Sequence, residues 1–277
     1  MAERSILITG CSSGIGYDAA QTLRRRGWNV FAACRTETDC QRLRSEGLRS
    51  PRLDYRDGQS IKNALEEVLL VTGGTLDALF NNGAYGLPGA TEDLPTDALR
   101  AIFETNFFGW HELTRSVIPV MRGQGYGRIV QCSSVLGFIP MRWRAAYVAT
   151  KHALEGYTDT LRLEMRGTPI HVSLIQPGPI TTKFRENAVP HFERWIDWKN
   201  STHAAEYRAR LVERLYASNT PPDPFELPPA AVTRKLVHAL EARRPRPRYY
   251  VTKVTHIAGA MRRLLPTRAL DRLIASR

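Results

Sequence analysis

The stretch SILITGCSSGIG, residues 5–16, runs from a short apolar segment into a glycine-rich turn. A helical pattern follows from Tyr17 to Arg25. Glycines in such a turn let the backbone approach a pyrophosphate closely, and the N-terminus of the helix then meets its negative charge. An ordinary glycine turn is the alternative, but the position between the first strand and the first helix favours a dinucleotide site. The candidate cofactor residues here are Gly10, Ser12, Ser13, Gly14, Ile15 and Gly16.

The alternation of apolar runs and helical patterns continues outward from this turn to about residue 180. The runs are SILITG, NVFAAC, PRLDY, LDALFNN, GRIVQCSS and IHVSLIQPG. Six short strands separated by helices predict parallel β-α-β units, and therefore an α/β fold with a doubly wound parallel sheet of the Rossmann type. In such a sheet a ligand binds in the crevice at the carboxyl ends of the strands.

The chain has 277 residues and 43% hydrophobic composition, so one large domain is expected. Residues 1–182 are the expected cofactor and catalytic core. Residues 183–229 break the alternation, are rich in Trp, Phe, Arg and Pro, and are expected to form a substrate lid. Residues 230–277 are the expected basic C-terminal extension, with a helix from about Ala230 and a strand at 248–252.

Composition argues against several other classes of protein. No apolar run reaches the roughly 18 to 20 residues of a membrane-spanning helix, and the N-terminus shows no secretory signal, so a cytoplasmic protein is expected. The four cysteines show no C-x-x-C pairing, which favours buried, reduced thiols. The seven histidines show no H-x-x-x-H or H-E-x-x-H pattern, so no metal site is expected.

The second predicted strand ends at Arg35, which lies 19 residues beyond Gly16. An NAD site places an acidic residue near this position, where it accepts hydrogen bonds from the ribose 2′-hydroxyl. A guanidinium suits the 2′-phosphate of NADP instead, and the Ser12 and Ser13 hydroxyls add donors. A solvated surface arginine is the alternative interpretation.

A run at 133–151, SSVLGFIPMRWRAAYVATK, carries the candidate catalytic group. Tyr147 and Lys151 are four residues apart on a predicted helix, so their side chains share one face. An ammonium near a phenol favours the phenolate, which lowers the phenol pKa and makes tyrosine a usable general acid or base. Ser134 ends a strand, where its hydroxyl can donate to a carbonyl oxygen that gains charge. Such a pair alone is often a solvated helix face, but the serine and the glycine turn together favour catalysis.

These residues resemble the short-chain dehydrogenase/reductase family, in the expected order over residues 4–185. By that resemblance Gly10, Gly14 and Gly16 form the family's glycine turn and Arg35 is the basic residue of NADP-preferring members. Asp54 is similar to the acidic residue that contacts adenine. Asn106 resembles the helix asparagine of a water-mediated proton relay.

The resemblance also assigns the catalytic roles. It implies that Ser134 polarises the carbonyl, that Tyr147 donates the proton, and that Lys151 binds the nicotinamide ribose and lowers the tyrosine pKa. The turn from Pro177 through Gly178 to Ile180 and Thr182 is similar to the family's nicotinamide carboxamide site. The family's Asn-Asn-Ala-Gly is Asn81-Asn82-Gly83-Ala84 here, with Asn82 and Gly83 beside the adenosine. Because glycine adopts positive φ freely and alanine does not, this transposition is expected to alter cofactor affinity at most.

Within the family the chain resembles hydroxysteroid/retinol-dehydrogenase-like reductases and bacterial aldehyde-reducing relatives. This implies an NADP(H)-dependent oxidoreductase acting on a hydrophobic aldehyde, ketone or secondary alcohol, and a homodimer or homotetramer is expected. An NADP(H)-binding sensor or scaffold without turnover is the alternative. In the lid, Tyr207, Leu211 and Leu215 recur every four residues, which fits either a pocket wall or ordinary core packing. Arg142 and Arg144 flank Trp143 near the expected substrate entrance. They are expected either to bind an acidic head group of the substrate or to be solvated surface arginines.

The basic charge is concentrated at the C-terminal end of the chain. Residues 230–277 hold 12 Lys or Arg against two acids, a net charge of +10 out of +12 for the whole chain. No nucleic-acid-binding module is present, so no nucleic acid partner is expected. The segment from Val254 to Ile274 interleaves apolar residues with arginines. It is expected either to rest on an anionic membrane surface or to pack on the subunit with a solvated basic face.

Overall fold

A computed structural model describes residues 4–217 and 223–275 as an α/β fold around one parallel sheet. Six strands lie in the order β2-β1-β3-β4-β5-β6, and every neighbouring pair is parallel. The strands are β1 (Ser5–Thr9), β2 (Asn29–Ala33), β3 (Ala78–Asn81), β4 (Gly127–Cys132), β5 (Ile170–Gln176) and β6 (Arg248–Tyr250). The predicted doubly wound sheet is confirmed.

Helices cover both faces of the sheet. They are α1 (Gly14–Arg25), α2 (Glu37–Ser45), α3 (Gly58–Thr72), α4 (Thr96–Phe103), α5 (Gly109–Gln124), α6 (Ala145–Glu164), α7 (Val189–Trp195), α8 (Ala204–Glu206), α9 (Glu213–Tyr216), α10 (Ala230–Glu241), α11 (Lys253–Leu264) and α12 (Thr267–Ala275). Because the strands are covered on both sides, β1, β3 and β4 are buried along their whole lengths. Their carboxyl ends bring the glycine turn, Asn82 and Ser134 to one edge.

The third predicted strand, in PRLDY, is wrong. The chain there makes only isolated bridges, from Arg49 to Phe31 and from Arg52 to Cys34. Leu53 N donates to the Cys34 carbonyl at 2.8 Å, but Pro51 has no N–H to donate. A proline at this point therefore prevents a regular ladder beside β2.

Part of the predicted C-terminal extension belongs to the core layers. The predicted helix at Ala230 is α10, which packs against α1, where Thr233 hydrogen-bonds Asp18. The predicted strand is β6, which pairs with β5 through Tyr249 and Ile175. Only α11 and α12 lie outside these layers. In the part of the chain that the structure describes, no helix combines the length and the apolar character needed to cross a membrane.

A second apolar cluster fills the space between the lid and α6. It contains the fully buried Tyr207 together with Phe192 and Tyr147. Tyr207 lies in a π-helical turn, Tyr207–Val212, and its hydroxyl donates to Asp93 at 2.8 Å and accepts from Ala90 N at 2.6 Å. The predicted apolar face of Tyr207, Leu211 and Leu215 is therefore buried packing.

Candidate active site

The glycine turn after β1 is built to accept an anion. Gly10 and Gly14 have φ of 68° and 59°, a left-handed conformation that side chains other than glycine rarely adopt. A Cβ on Gly16 would collide with the Gly10 carbonyl, so the helix can begin this close to the strand only with glycine there. Ser13 precedes α1 without capping it through its side chain, which leaves the first backbone N–H groups for a ligand. The turn therefore fits the pyrophosphate of a dinucleotide.

The loop after β3 is held against this turn through Thr9. The Thr9 hydroxyl accepts from Asn82 N at 2.9 Å and from Gly83 N at 3.2 Å, and Asn82 Nδ2 donates to the Thr9 carbonyl at 3.0 Å. A Cβ on Gly83 would lie 3.2 Å from Gly10 N. Neither Gly83 nor Ala84 takes a positive φ, so the transposed pair imposes no backbone strain.

Basic side chains surround the place where the adenosine end of a dinucleotide would lie. Arg35 lies two residues after the end of β2, is exposed, and has no hydrogen bond to its guanidinium within residues 4–217 and 223–275. Arg42, which sequence reasoning missed, comes from α2 and donates to the Ser12 carbonyl at 2.7 Å. Asp54 accepts from Arg56 N at 3.0 Å and so also closes a local turn. Arg42 also forms ion pairs with Asp39 and Glu46, which leaves Arg35 as the cation here without a salt bridge among the described residues.

Tyr147 is buried at the start of α6, with 8% of its surface exposed. Its hydroxyl is hydrogen-bonded to Ser134, whose Oγ also accepts from Leu136 N at 3.1 Å. Burial raises the pKa of Tyr147 above its ordinary value, the nearby Cys132 adds to the rise, and the Ser134 hydrogen bond opposes it. The predicted lowering of the Tyr147 pKa by Lys151 is therefore wrong for the chain alone: burial sets the direction of the shift, and Tyr147 holds its proton.

Lys151 lies one turn after Tyr147 and is almost completely buried, with 1% exposure. Its Nζ donates to the Cys132 carbonyl at 2.8 Å and lies 5.7 Å from the centre of the Tyr147 ring. Burial lowers the pKa of Lys151 to about 8, against the opposing influence of Cys132 and Glu155. An ammonium in this position would lose its proton within the range of ordinary assays.

Trp110, at the start of α5, connects the two halves of the site, and sequence reasoning missed it. Its ring centre lies 4.3 Å from Lys151 Nζ, close enough for a cation–π interaction. Its Nε1 donates to the Gly83 carbonyl at 2.9 Å. In the sequence Trp110 is an apolar helix residue with no distinguishing signal, because both contacts are with residues distant along the chain.

Asn106 lies in a π-helical turn, Glu104–Phe108, and is fully buried. Its Oδ1 accepts from Tyr85 N at 3.1 Å, and its Nδ2 donates to the Tyr85 carbonyl at 2.9 Å and to Thr150 Oγ1 at 3.4 Å. The amide thus ties the β3 loop to α6. Any contribution of Asn106 to a proton relay must therefore come from its backbone rather than from this occupied side chain.

The predicted carboxamide turn closes the site from the β5 side. Val135 N donates to the Pro177 carbonyl at 2.7 Å, which fixes the turn beside Ser134. A Cβ on Gly178 would collide with the hydroxyl of Thr252, the N-cap of α11, a contact that sequence reasoning missed. Thr182 faces Gly14 across the crevice: a Cβ there would lie 2.9 Å from Thr182 Cγ2. Ile180 is paired with Leu227 at the end of the lid.

The comparisons with known proteins agree with this geometry. A family model described as short chain dehydrogenase matches residues 4–192. The uncharacterized oxidoreductase YbbO of Escherichia coli is 38% identical over 272 residues, covering 98% of this chain and 94% of that protein. Human 17-beta-hydroxysteroid dehydrogenase type 1 is 32% identical and covers 91% of this chain and 79% of its own. A short-chain dehydrogenase/reductase from Burkholderia phymatum, solved with NAD, is 25% identical with a TM-score of 0.78, covering 99% and 95% of the two chains.

Proposed function

This chain belongs to the short-chain dehydrogenase family, and on that premise we propose that it is an NADP(H)-dependent reductase of hydrophobic aldehydes and ketones. Membership makes it an oxidoreductase with a nicotinamide-binding Rossmann fold that acts on CH–OH or carbonyl groups. The preference for NADP(H), the hydrophobic substrate and the role of Tyr147 are the parts that we propose.

The observation that carries the proposal is the buried, protonated Tyr147 with Ser134 and Lys151 beside it. A phenol that holds its proton acts as the general acid in carbonyl reduction, transferring that proton to the substrate oxygen. The Ser134 hydroxyl donates a hydrogen bond to the same oxygen as negative charge develops there. Lys151 then stabilises the phenolate that remains, and alcohol oxidation uses the same groups in reverse. When bound, the nicotinamide cofactor supplies or accepts the hydride.

Arg35 supports the preference for NADP(H), because among the described residues its guanidinium has no partner, at a position where an NAD-specific site has a carboxylate. Replacing Arg35 with Asp removes the cation and adds a ribose acceptor. One charge-assisted contact contributes about 1.5 to 3 kcal/mol, so the NADPH-to-NADH preference should fall by about ten- to a hundredfold. The dissociation constants of both cofactors, measured by fluorescence titration of the two proteins, test this directly. Equal affinity of the unaltered protein for NADPH and NADH would refute the cofactor assignment.

The surroundings of Tyr147 support a hydrophobic substrate. The Phe184 ring lies 5.3 Å from the Tyr147 ring, and Tyr85 is stacked on His191 at 3.7 Å between the β3 loop and the lid. Burial lowers the pKa of His191 to about 4, so this ring is neutral at physiological pH and is part of the apolar wall. The steroid substrate named in one relative is of the same general kind.

The test is NADPH consumption with aldehydes, steroids, retinoids and keto lipids, each with a short polar carbonyl compound as its control. We expect turnover that rises with the apolar area of the substrate and disappears in the Tyr147→Phe protein. Tight NADPH binding with no turnover of any carbonyl would favour the sensor or scaffold instead. Faster turnover of the short polar compounds would refute the substrate class.

A further inference from the structure

Three guanidinium groups and one carboxylate gather beside the catalytic tyrosine. Arg144 occupies the N-cap position of α6, one turn before Tyr147, without a side-chain capping hydrogen bond. Arg185 follows Phe184, the residue whose ring contacts Tyr147. Asp223 forms ion pairs with both Arg185, at 3.4 Å, and Arg214 of α9. The cluster of Arg144, Arg185, Arg214 and Asp223 therefore carries two more positive than negative charges.

Among the described residues, Arg144 is the arginine of this cluster that lacks a carboxylate partner. Its Nη1 donates to the neighbouring Trp143 carbonyl at 3.0 Å, and within residues 4–217 and 223–275 it forms no ion pair. A guanidinium has five N–H donors, so most of its capacity is unused. Burial, together with Arg214 and Arg185, lowers the pKa of Arg144 to about 10, and Asp223 opposes this shift. A partly buried cation without a partner is costly, and an incoming anion would relieve that cost.

Arg142, two residues before Arg144, differs from it in having a carboxylate partner. Arg142 lies on the other side of Trp143, is exposed, and forms an ion pair with Glu206 at 2.5 Å. Of the two arginines that the sequence places near the substrate entrance, one is thus satisfied at the surface. The other, Arg144, lies within electrostatic reach of Arg185, Arg214 and Asp223.

The backbone that presents Arg144 is held in an unfavourable conformation. Trp143 has a φ of 61°, and Phe225, two residues after Asp223, has a φ of 63°. Left-handed conformations of bulky residues persist only where the surroundings impose them, and they are concentrated at ligand sites. Trp143 is fixed by stacking on Tyr207, with ring centres 5.2 Å apart. Each strained residue therefore lies next to a member of the cluster: Trp143 directly before Arg144, and Phe225 two residues after Asp223.

We propose that this cluster, with Arg144 as its principal residue, binds the carboxylate of a substrate whose carbonyl lies at Tyr147. The substrate would then be an amphipathic oxo acid with an apolar body between its two polar ends. The proposal rests on the proposed function, because it uses the same crevice and adds the chemistry of the far end of the substrate. Two parallel hydrogen bonds from Arg144 to the carboxylate would fix the orientation of the carbonyl.

Matched substrates test the proposal with NADPH in excess. They are para-carboxybenzaldehyde and ω-oxo fatty acids of increasing length, each compared with its methyl ester. We expect the unaltered protein to favour the acid in kcat/KM, mainly through KM, with an optimum chain length. Arg144→Gln should reduce the acid-to-ester ratio by about ten- to a hundredfold, the effect of losing one charged hydrogen-bonding partner. Arg142→Gln is the matched control and should leave the ratio unchanged.

A binding experiment separates this proposal from the proposed function. Phenylacetate and the isosteric, neutral phenylacetamide are titrated calorimetrically into the NADPH-loaded protein at low and moderate salt. We expect tighter, salt-sensitive binding of phenylacetate, lost in Arg144→Gln and kept in Arg142→Gln. If no carbonyl is reduced but this discrimination is present, the proposed function fails and the anion site stands. Equal binding of the two probes to the unaltered protein, or an acid preference that survives in Arg144→Gln, would overturn the anion site.

Discussion

Replacing Tyr147 with Phe removes one hydroxyl from the centre of the site and little else. The phenyl ring keeps its contact with Phe184, at 5.3 Å between ring centres, and its position 5.7 Å from Lys151 Nζ. The lost hydroxyl costs one hydrogen bond to Ser134, a contribution to stability of about 1 kcal/mol. Ser134 retains its bond from Leu136 N. We therefore expect a folded protein with nearly unchanged cofactor affinity.

The effect on the reaction should be far larger. A positioned general acid contributes about a hundred- to ten-thousandfold in rate, which corresponds to about 3 to 5 kcal/mol of activation free energy. With the phenol gone, the next hydroxyl at the site is Ser134, which can donate a hydrogen bond but lacks a lysine to stabilise its anion. The loss should consequently appear in kcat and not in the dissociation constant of NADPH.

The assay is single-turnover NADPH oxidation with the best substrate of the carbonyl screen, combined with fluorescence titration of NADPH and thermal unfolding. Tyr157→Phe is the matched control, because Tyr157 is on the same helix and its hydroxyl hydrogen-bonds, within the part of the chain that the structure describes, with His111 Nδ1 alone, at 3.1 Å. We expect kcat of this control to equal that of the unaltered protein. A kcat for Tyr147→Phe within about tenfold of the unaltered protein, about 1.4 kcal/mol, would refute the acid role.

Four further predictions concern the supports of the site and the surface of the protein. Because the pKa of Lys151 is about 8, kcat/KM for NADPH should fall as the pH rises through that value and Lys151 loses its charge. Trp110→Leu removes the aromatic ring beside the ammonium and should move this fall to lower pH by up to about one unit, whereas Trp110→Phe keeps a ring and should leave it unchanged. A Cβ at Gly178 collides with Thr252, so Gly178→Ala should destabilise the fold by about 1 to 3 kcal/mol in thermal unfolding, and by less in a Thr252→Ala background. Helices α11 and α12 should bind anionic vesicles more strongly than neutral ones at low salt, and equal, negligible co-sedimentation would contradict this. Sedimentation velocity should show a homodimer or homotetramer, and a monomer at micromolar concentration would contradict that expectation.

The sequence predicts those parts of the site whose residues are close together along the chain. The glycine turn lies between a strand and a helix, and Tyr147 and Lys151 are one helical turn apart, so short-range pattern alone places them. Trp110 and Thr252 escape this reasoning because their partners, Gly83 and Gly178, are distant in sequence. The strands of the sheet show the same contrast between short-range pattern and contacts with distant residues. Five of the six predicted strands before residue 180 form, and the one in PRLDY fails because Pro51 cannot complete a ladder that pattern alone favours.

The basic residues of the C-terminal region differ in their surroundings: Arg248 in β6 is paired within the protein, whereas α11 after it carries exposed arginines. This difference bears on the predicted binding of α11 and α12 to anionic vesicles. The charge of Arg248 is neutralised within the protein, because Arg248 forms ion pairs with Glu155 and Asp159 of α6. Beyond it, Leu264 is 80% exposed in a run with two arginines, so α11 presents an apolar and basic surface. These helices also pack, through Ala258 of α11 and Leu270 of α12, on Ile139 in the segment between Ser134 and Arg144. A lipid surface bound by the exposed residues of α11 and α12 would therefore be separated by these helices from the segment between Ser134 and Arg144, because the packed and membrane-bound interpretations of this region require different faces of the same helices.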